Sequence, residues 1–236
     1  MSGTITSVTS ATAEQQPYHH GDLPNALRRA AVEVIEERGL GAFSLREVAR
    51  RSGVSHTAPA HHFGDVRGLL TSIAEEGFEA LHAVTQAAAD QHTDPAERLA
   101  AIGAAYVELA RSHPAHCEVM FRTDLVDQED PDVQQCGLEA YAVLENTLRD
   151  LVAAEQLQVD IDDATWLCWS AMQGLVVLEP KIAIINQMRG GKPISTDELV
   201  RRYTHLMLNG LRGSARPHLA RSVVAQRGAN HLALDE

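Results

Sequence analysis

The 236-residue sequence predicts an all-α chain. Three observations point there. Apolar residues recur at helical spacing from Leu23 onward, with Leu23, Ala26, Leu27, Ala30, Ala31, Val34 and Ile35 on one face. Aromatic residues, which favour strands, make up only 4% of the chain, and Ala, Leu and Glu dominate. Asp94-Pro95, His113-Pro114 and Asp130-Pro131 recur as helix punctuation.

The elements follow in order. Residues 1–16 are rich in Ser and Thr without a sustained apolar period, which predicts a flexible tail. Asp22 caps a first helix from Leu23, Pro24 sits in its first turn, and Gly39 ends it. Ser44 then caps a short helix, Leu45 to Arg51, and Glu47 three residues on predicts a capping box. Ser52-Gly53-Val54-Ser55 predicts a tight turn with Gly53 in the left-handed region. A third short helix runs to Phe63. The later helices are predicted at 66–90, 95–112, 115–122, 131–156, 161–189 and 195–212. Pro180 should kink the longest of these. Gly190-Gly191-Lys192-Pro193 breaks the chain before the last, and residues 213–236 lose the pattern. The implied organisation is a tail (1–16), a small helical domain (17–65), a larger one (66–212) and a second tail (213–236).

Composition excludes several classes. Hydrophobic residues at 44% and charged residues at 22% are globular values. No run approaches the roughly 20 apolar residues of a membrane span, and no signal peptide opens the sequence, so no membrane partner and a cytoplasmic location are expected. Cys117, Cys136 and Cys168 form no CxxC and no disulfide framework. The net charge of -12 is unevenly placed: residues 1–70 hold seven acids and seven arginines, whereas residues 71–236 hold 25 acids and 13 bases. Between Ser44 and Arg67, four arginines face two acids. Distribution, more than the sum, decides whether an anionic partner is compatible.

Ser44 to Phe63 reads SLREVARRSGVSHTAPAHHF, a helix, a glycine turn and a second helix. That is a helix-turn-helix, whose second helix can enter a DNA major groove. Its exposed face would offer His56, Thr57 and His61 to base edges. Ser44, Ser55 and Arg46 would hold the phosphate backbone. A helical hairpin packed for stability alone is the bland alternative.

The same segment resembles the tetracycline-repressor-like (TetR/AcrR) family of bacterial regulators. The resemblance rests on Phe43, Ser44 to Ala49, Gly53 to Ser55, and His62-Phe63, with Tyr18 to Leu23 ahead of them. In the larger domain, Trp169-Ser-Ala-Met-Gln173-Gly174-Leu175 is similar to a W-x3-H-G-L signature, with Gln173 in place of the histidine. The resemblance implies a homodimeric regulator that binds a near-palindromic operator in double-stranded DNA and is released by a small-molecule effector. Two family phosphate-contact positions hold Ala60 and Val66, and Arg67 stands beside the second. His61 would face the groove and His62 the backbone. The effector cavity would draw on His82, Tyr106, Met120, Phe121, Tyr141, Trp166 and Trp169, each of which could equally be core. The last two helices would form the dimer interface through Val176, Val177, Ile182, Ile184, Ile185, Leu199, Tyr203, Leu206, Met207 and Leu211.

Rival classes find less in the sequence. GxSxG, HExxH and GxGxxG do not occur, so an enzyme is not expected. His113, His116 and Cys117 do not make a convergent metal set by spacing, and neither metal nor cofactor is expected. A ligand-binding protein with a weakened helix-turn-helix, motivated by Ala60 and Val66, and a transcriptional activator remain the alternatives.

Overall fold

The computed structural model describes residues 22–190 and 194–213. The two predicted tails (apart from Gly213), Tyr18 to Gly21 with the His19-His20 pair, and Gly191-Lys192-Pro193 lie outside the described residues. α1 (Leu23–Arg38) buries Leu27, Ala30, Ala31, Val34 and Ile35, the predicted stripe. Gly39, at φ +72°, ends it. Asp22 does not cap as expected: its carboxylate takes the side chains of Asn25 and Arg29 instead of a free backbone N–H. A 3-10 turn at Leu40–Ala42 leads to α2 (Leu45–Arg51). Ser44 Oγ accepts the Glu47 N–H at 3.3 Å, a cap of the kind worth about 1 kcal/mol. The capping box is only half made, because the Glu47 carboxylate turns to Arg50, Arg51 and Arg38.

Gly53 takes φ +66°, as the turn predicts. α3 (Ala58–Phe63) carries a buried Pro59 in its first turn, where the missing N–H has no partner to lose. α4 (Val66–Ala89) follows after two residues, with Asp65 Oδ1 accepting the Gly68 N–H at 2.9 Å. A Cβ placed on Gly68 would sit 1.9 Å from the Phe63 carbonyl oxygen. Glycine is therefore what lets α3 turn so tightly onto α4.

The remaining helices are α5 (Pro95–Ser112), α6 (Pro114–Met120), α7 (Pro131–Glu155), α8 (Ile161–Met188) and α9 (Thr196–Gly213). Asp94, Asp130 and Asp160 each take two backbone N–H groups at the starts of α5, α7 and α8. Their charge also suits a helix N-terminus. α8 bends by 65° between Ile161–Glu179 and Lys181–Met188, at the predicted proline. No single helix among the described residues is long and apolar enough to cross a membrane.

Two large cores result. The first joins Val34, Val48, Leu69, Leu70 and Ile73 to Ala115 and Val119 of α6 and to Val126 and Val133. The second gathers Leu81, Leu99, Tyr106, Met120, Leu148, Leu151, Cys168, Met172, Leu175 and Met207. α4 and α6 contribute to both, so the boundary expected near residue 66 falls at the start of a shared helix. Gly77 brings these two helices together, since a Cβ there would meet Met120 Sδ at 2.5 Å. At the neighbouring position, Arg28 of α1 pairs with Glu76 of α4, and His116 of α6 approaches the same carboxylate at 3.6 Å. Burial pushes the Glu76 carboxyl up, but His116 and Arg28 outweigh it and hold the group below its usual value.

Gly68→Ala should cost about 1–3 kcal/mol, as overpacking against an immovable backbone atom does. The expected outcome is a lower thermal midpoint than for Gly210→Ala, where a Cβ would meet nothing within 4 Å.

Candidate functional site

α2, the Gly53 turn and α3 hold one surface clear of the first core. His56, Thr57, Ala60, His61 and His62 are all exposed on it. The hydroxyls of Ser55 and Thr57 meet at 3.1 Å ahead of α3, and the rings of His61 and His62 touch edge to face at 5.5 Å. Ser44 is half-buried, with its hydroxyl engaged in the α2 cap. Arg46 is exposed and makes no ion pair among the described residues. This is a protruding helix with an uncommitted polar face, the shape that major-groove entry requires.

The other arginines near this face are committed to the protein. Arg50 forms two hydrogen bonds to Glu47, at 2.7 and 2.8 Å. Arg51, whose side chain is 13% exposed, spans Glu33, Glu37 and Glu47. The hydrogen bond from Arg50, with Arg51 and Arg38 behind it, holds the Glu47 carboxyl down at about 2. Arg67 donates to the Val126 carbonyl at 3.2 Å and lies 3.9 Å from Asp127. The positive excess read from the sequence is thus largely spent on fixing α2 to α1 and the start of α4 to the loop after α6.

A second site opens among α4, α5, α7, α8 and α9. It encloses about 710 Å³ of empty space, part of it open to solvent. Tyr106, Phe121, Tyr141 and Trp169 of the expected set line it, together with Phe78, Leu81, Leu99, Ile102, Leu144, Cys168, Met172 and Met207. Three expected residues are absent from the lining. Met120 is buried where α6 crosses Gly77. His82 is half-buried on a neighbouring face of α4. Trp166 is 58% exposed and stacks on Trp169 from outside, with centroids 5.3 Å apart and planes 23° apart. Tyr106 donates its hydroxyl hydrogen to Gln173 Oε1, so this phenol of the wall is already paired within the protein. Burial, with Cys117 adjacent, pushes the Tyr106 phenol above its usual value.

Comparison with known proteins places both halves of the chain in one family. Residues 27–73 match the model for bacterial regulatory proteins of the tetR family, and residues 99–207 match the tetracyclin repressor-like C-terminal domain. The chain belongs to the TetR family. An HTH-type transcriptional regulator BetI from Stenotrophomonas maltophilia is 35% identical over 77 residues, which is 32% of this chain and 39% of that protein's length. A Rhodococcus sp. RHA1 structure of unknown function superposes with a TM-score of 0.69 at 29% identity, covering 84% of this chain and all of that one. The TetR-family regulator PfmR from Thermus thermophilus gives 0.61 at 22%, covering 78% and 98%. FadR from Bacillus subtilis, solved with stearoyl-CoA, gives 0.60 at 17%, covering 79% and 98%, a likeness of fold alone.

In this TetR-family chain, sequence reasoning missed Thr204, Gly103 and the α4 wall residues Phe78 and Leu81 of the cavity. The helical period marks all four as inward-facing, but gives no sign of which inward residues border empty space. His113, His116 and Cys117 form no metal cluster, and among the described residues no group of three or more candidate ligands converges.

The Glu47 network sets an acid dependence. A carboxyl lowered from 4.5 to about 2 stabilises the folded state above pH 4.5, and that contribution is lost as pH falls towards 2. Glu47→Gln should lower the denaturation midpoint at pH 7 and flatten the stability-against-pH slope between pH 4.5 and 2. An unchanged slope would place the acid sensitivity elsewhere.

Proposed function

We propose that the protein is a DNA-binding transcription regulator, acting as a cytoplasmic homodimeric repressor that a small-molecule effector releases from a near-palindromic operator. The observation behind this reading is the uncommitted polar face of α3, held by α2 on a core that continues into a cavity-bearing helical domain. His56, Thr57 and His61 would read bases. Ser44, Ser55, Arg46, Ala60, His62 and Arg67 would border the phosphates, with Arg46 as the free cation among them.

Dimerisation through α8 and α9 is supported by exposed apolar side chains: Val177, Leu178, Ile184, Ile185, Met188 and Leu206 are 46–81% exposed. Such a stripe is unusual on a lone soluble chain and fits a four-helix interface between copies. Of the residues expected there, Met207 and Leu211 lie buried in the protomer's own core. Val176, Ile182, Leu199 and Tyr203 pack partly against that core. The α9 residues turn inward because its amphipathic face is already used against α5 and α8.

A second reading has its own support. Arg50, Arg51 and Arg67 are paired within the protein, and Ala60 and Val66 carry no charge, so this face offers few cations to phosphates. A ligand-binding protein with a weakened helix-turn-helix would look the same. Selection of genomic fragments by purified protein, followed by titration at two salt concentrations, separates the two. A regulator enriches a pseudo-palindrome, and its affinity falls as salt rises. A folded dimer that enriches nothing at low salt is the sensor alone.

Two substitutions refine the assignment. Arg46→Ala should weaken all sequences alike and reduce the salt slope by about 1. His61→Ala should relax preference at one position per half-site, by about 1–3 kcal/mol of discrimination. A binding profile unchanged by His61→Ala would remove that residue from base readout.

A further inference from the structure

We infer that the cavity takes an uncharged, ring-bearing, mostly apolar molecule whose hydrogen-bonding group meets the hydroxyl of Thr204. This rests on the reading of the cavity as the effector site.

The ring preference follows from where the chain spends its aromatic residues. The sequence has four Phe, four Tyr and two Trp, and five of these ten line this one cavity. Phe78 meets Phe121 edge-on at 6.0 Å, Phe121 meets Trp169 at 5.7 Å, and Tyr141 meets Trp169 at 6.3 Å. The rings form a continuous wall from α4 to α8, suited to offset or edge contacts with a planar guest.

Charge is excluded by the lining. Among the described residues, no Asp, Glu, Lys, Arg or His borders the cavity. A carboxylate or phosphate would find no cation, and a buried charge without a partner is costly. An ammonium would need an open ring cage or an acid. The two tryptophans instead lie against each other, 5.3 Å between centroids, with no room for a cation between them.

The polar group is located by an accounting of hydroxyls. The other buried threonines of the helices have partners: Thr85 donates to the Leu81 carbonyl at 2.7 Å, Thr147 to Val143 at 2.9 Å and Thr165 to Ile161 at 2.7 Å, Thr71 accepts the Asp127 N–H at 2.9 Å, and Thr196 donates to the Glu179 carboxylate. Tyr106 is engaged with Gln173. Thr204 is 3% exposed, lines the cavity, and its Oγ1 has no hydrogen-bond partner among the described residues. It lies across from Gly103, where even a Cβ would remain 3.9 Å away. A buried hydroxyl left unpaired is a standing cost that a guest atom can relieve.

The test uses the full chain and calorimetric titration with 2-naphthol and 2-methylnaphthalene, which are similar in size and differ in one hydroxyl. Wild-type protein should bind both. Thr204→Val should weaken 2-naphthol roughly tenfold and 2-methylnaphthalene by less than about twofold. Its melting temperature should be no lower than wild type, since no existing hydrogen bond is lost. Thr204→Ser, which keeps the hydroxyl, should retain 2-naphthol affinity and guards against a packing artefact. Equal losses for both probes in Thr204→Val would overturn the Thr204 assignment. Failure of both arenes to bind, or tighter binding of decanoate, decanoyl-CoA or benzyltrimethylammonium, would overturn the ligand class. Operator binding by the unliganded protein is measured separately. If it persists while the arenes fail, only this inference falls; if the arenes bind and no operator is found, the cavity stands and the regulatory reading falls.

Discussion

Helix α4 belongs to two cores at once, and α1, α3, α5, α6 and α7 all pack on it. Its first half seals the small domain through Leu69, Leu70 and Ile73. Its second half walls the cavity through Phe78 and Leu81. Two glycines set the approach distances, Gly68 beneath the Phe63 carbonyl and Gly77 beneath Met120. Close-packed interiors transmit small displacements instead of absorbing them. A guest that shifted Phe78 would therefore displace the same helix against which α3 turns. Arg67 and Thr71 strengthen the linkage, because both hold the loop after α6, through Val126 and the Asp127 N–H.

The charge pattern gains a different meaning once the side chains are placed. The arginines between Ser44 and Arg67 suggest an anion-binding surface, and several of them instead brace the domain internally. Glu47 is the centre of that brace, three arginines around one carboxylate. The consequence for an interface is selectivity by shape and hydrogen bonding with little non-specific electrostatic attraction. A face of this kind should rely on close fit of α3 more than on phosphate neutralisation.

Much of the fold was legible because helix boundaries are chemical events. Asp94, Asp130 and the prolines after them announce helix starts, and Gly39 and Gly53 announce turns. The end of α7 falls where the period predicts it, although Gln156, left-handed at φ +53°, is not a residue type that favours that conformation. The site was legible unevenly. The exposed residues of α3 follow from one short motif. In the cavity, periodicity separates inside from outside but cannot distinguish a packed neighbour from an empty one. Met120 and Tyr106 have the same inward pattern, yet one fills the gap left by Gly77 and the other borders open space. Trp166 fails for the opposite reason: its size suggests burial, but its place on α8 faces outward, tied to the cavity by its stack on Trp169 and a tilted contact with Tyr141.

That stack has an optical consequence. Trp166 and Trp169 are the only two tryptophans in the sequence. Near-ultraviolet emission excited selectively at indole therefore arises wholly from the cavity-bearing half, and the α1–α3 unit is dark. Two indoles in van der Waals contact also share their excited state, so a small rotation of either ring changes intensity and circular dichroism together. The protein has a built-in chromophore pair whose signal is decided by whatever leans on Trp169 from within.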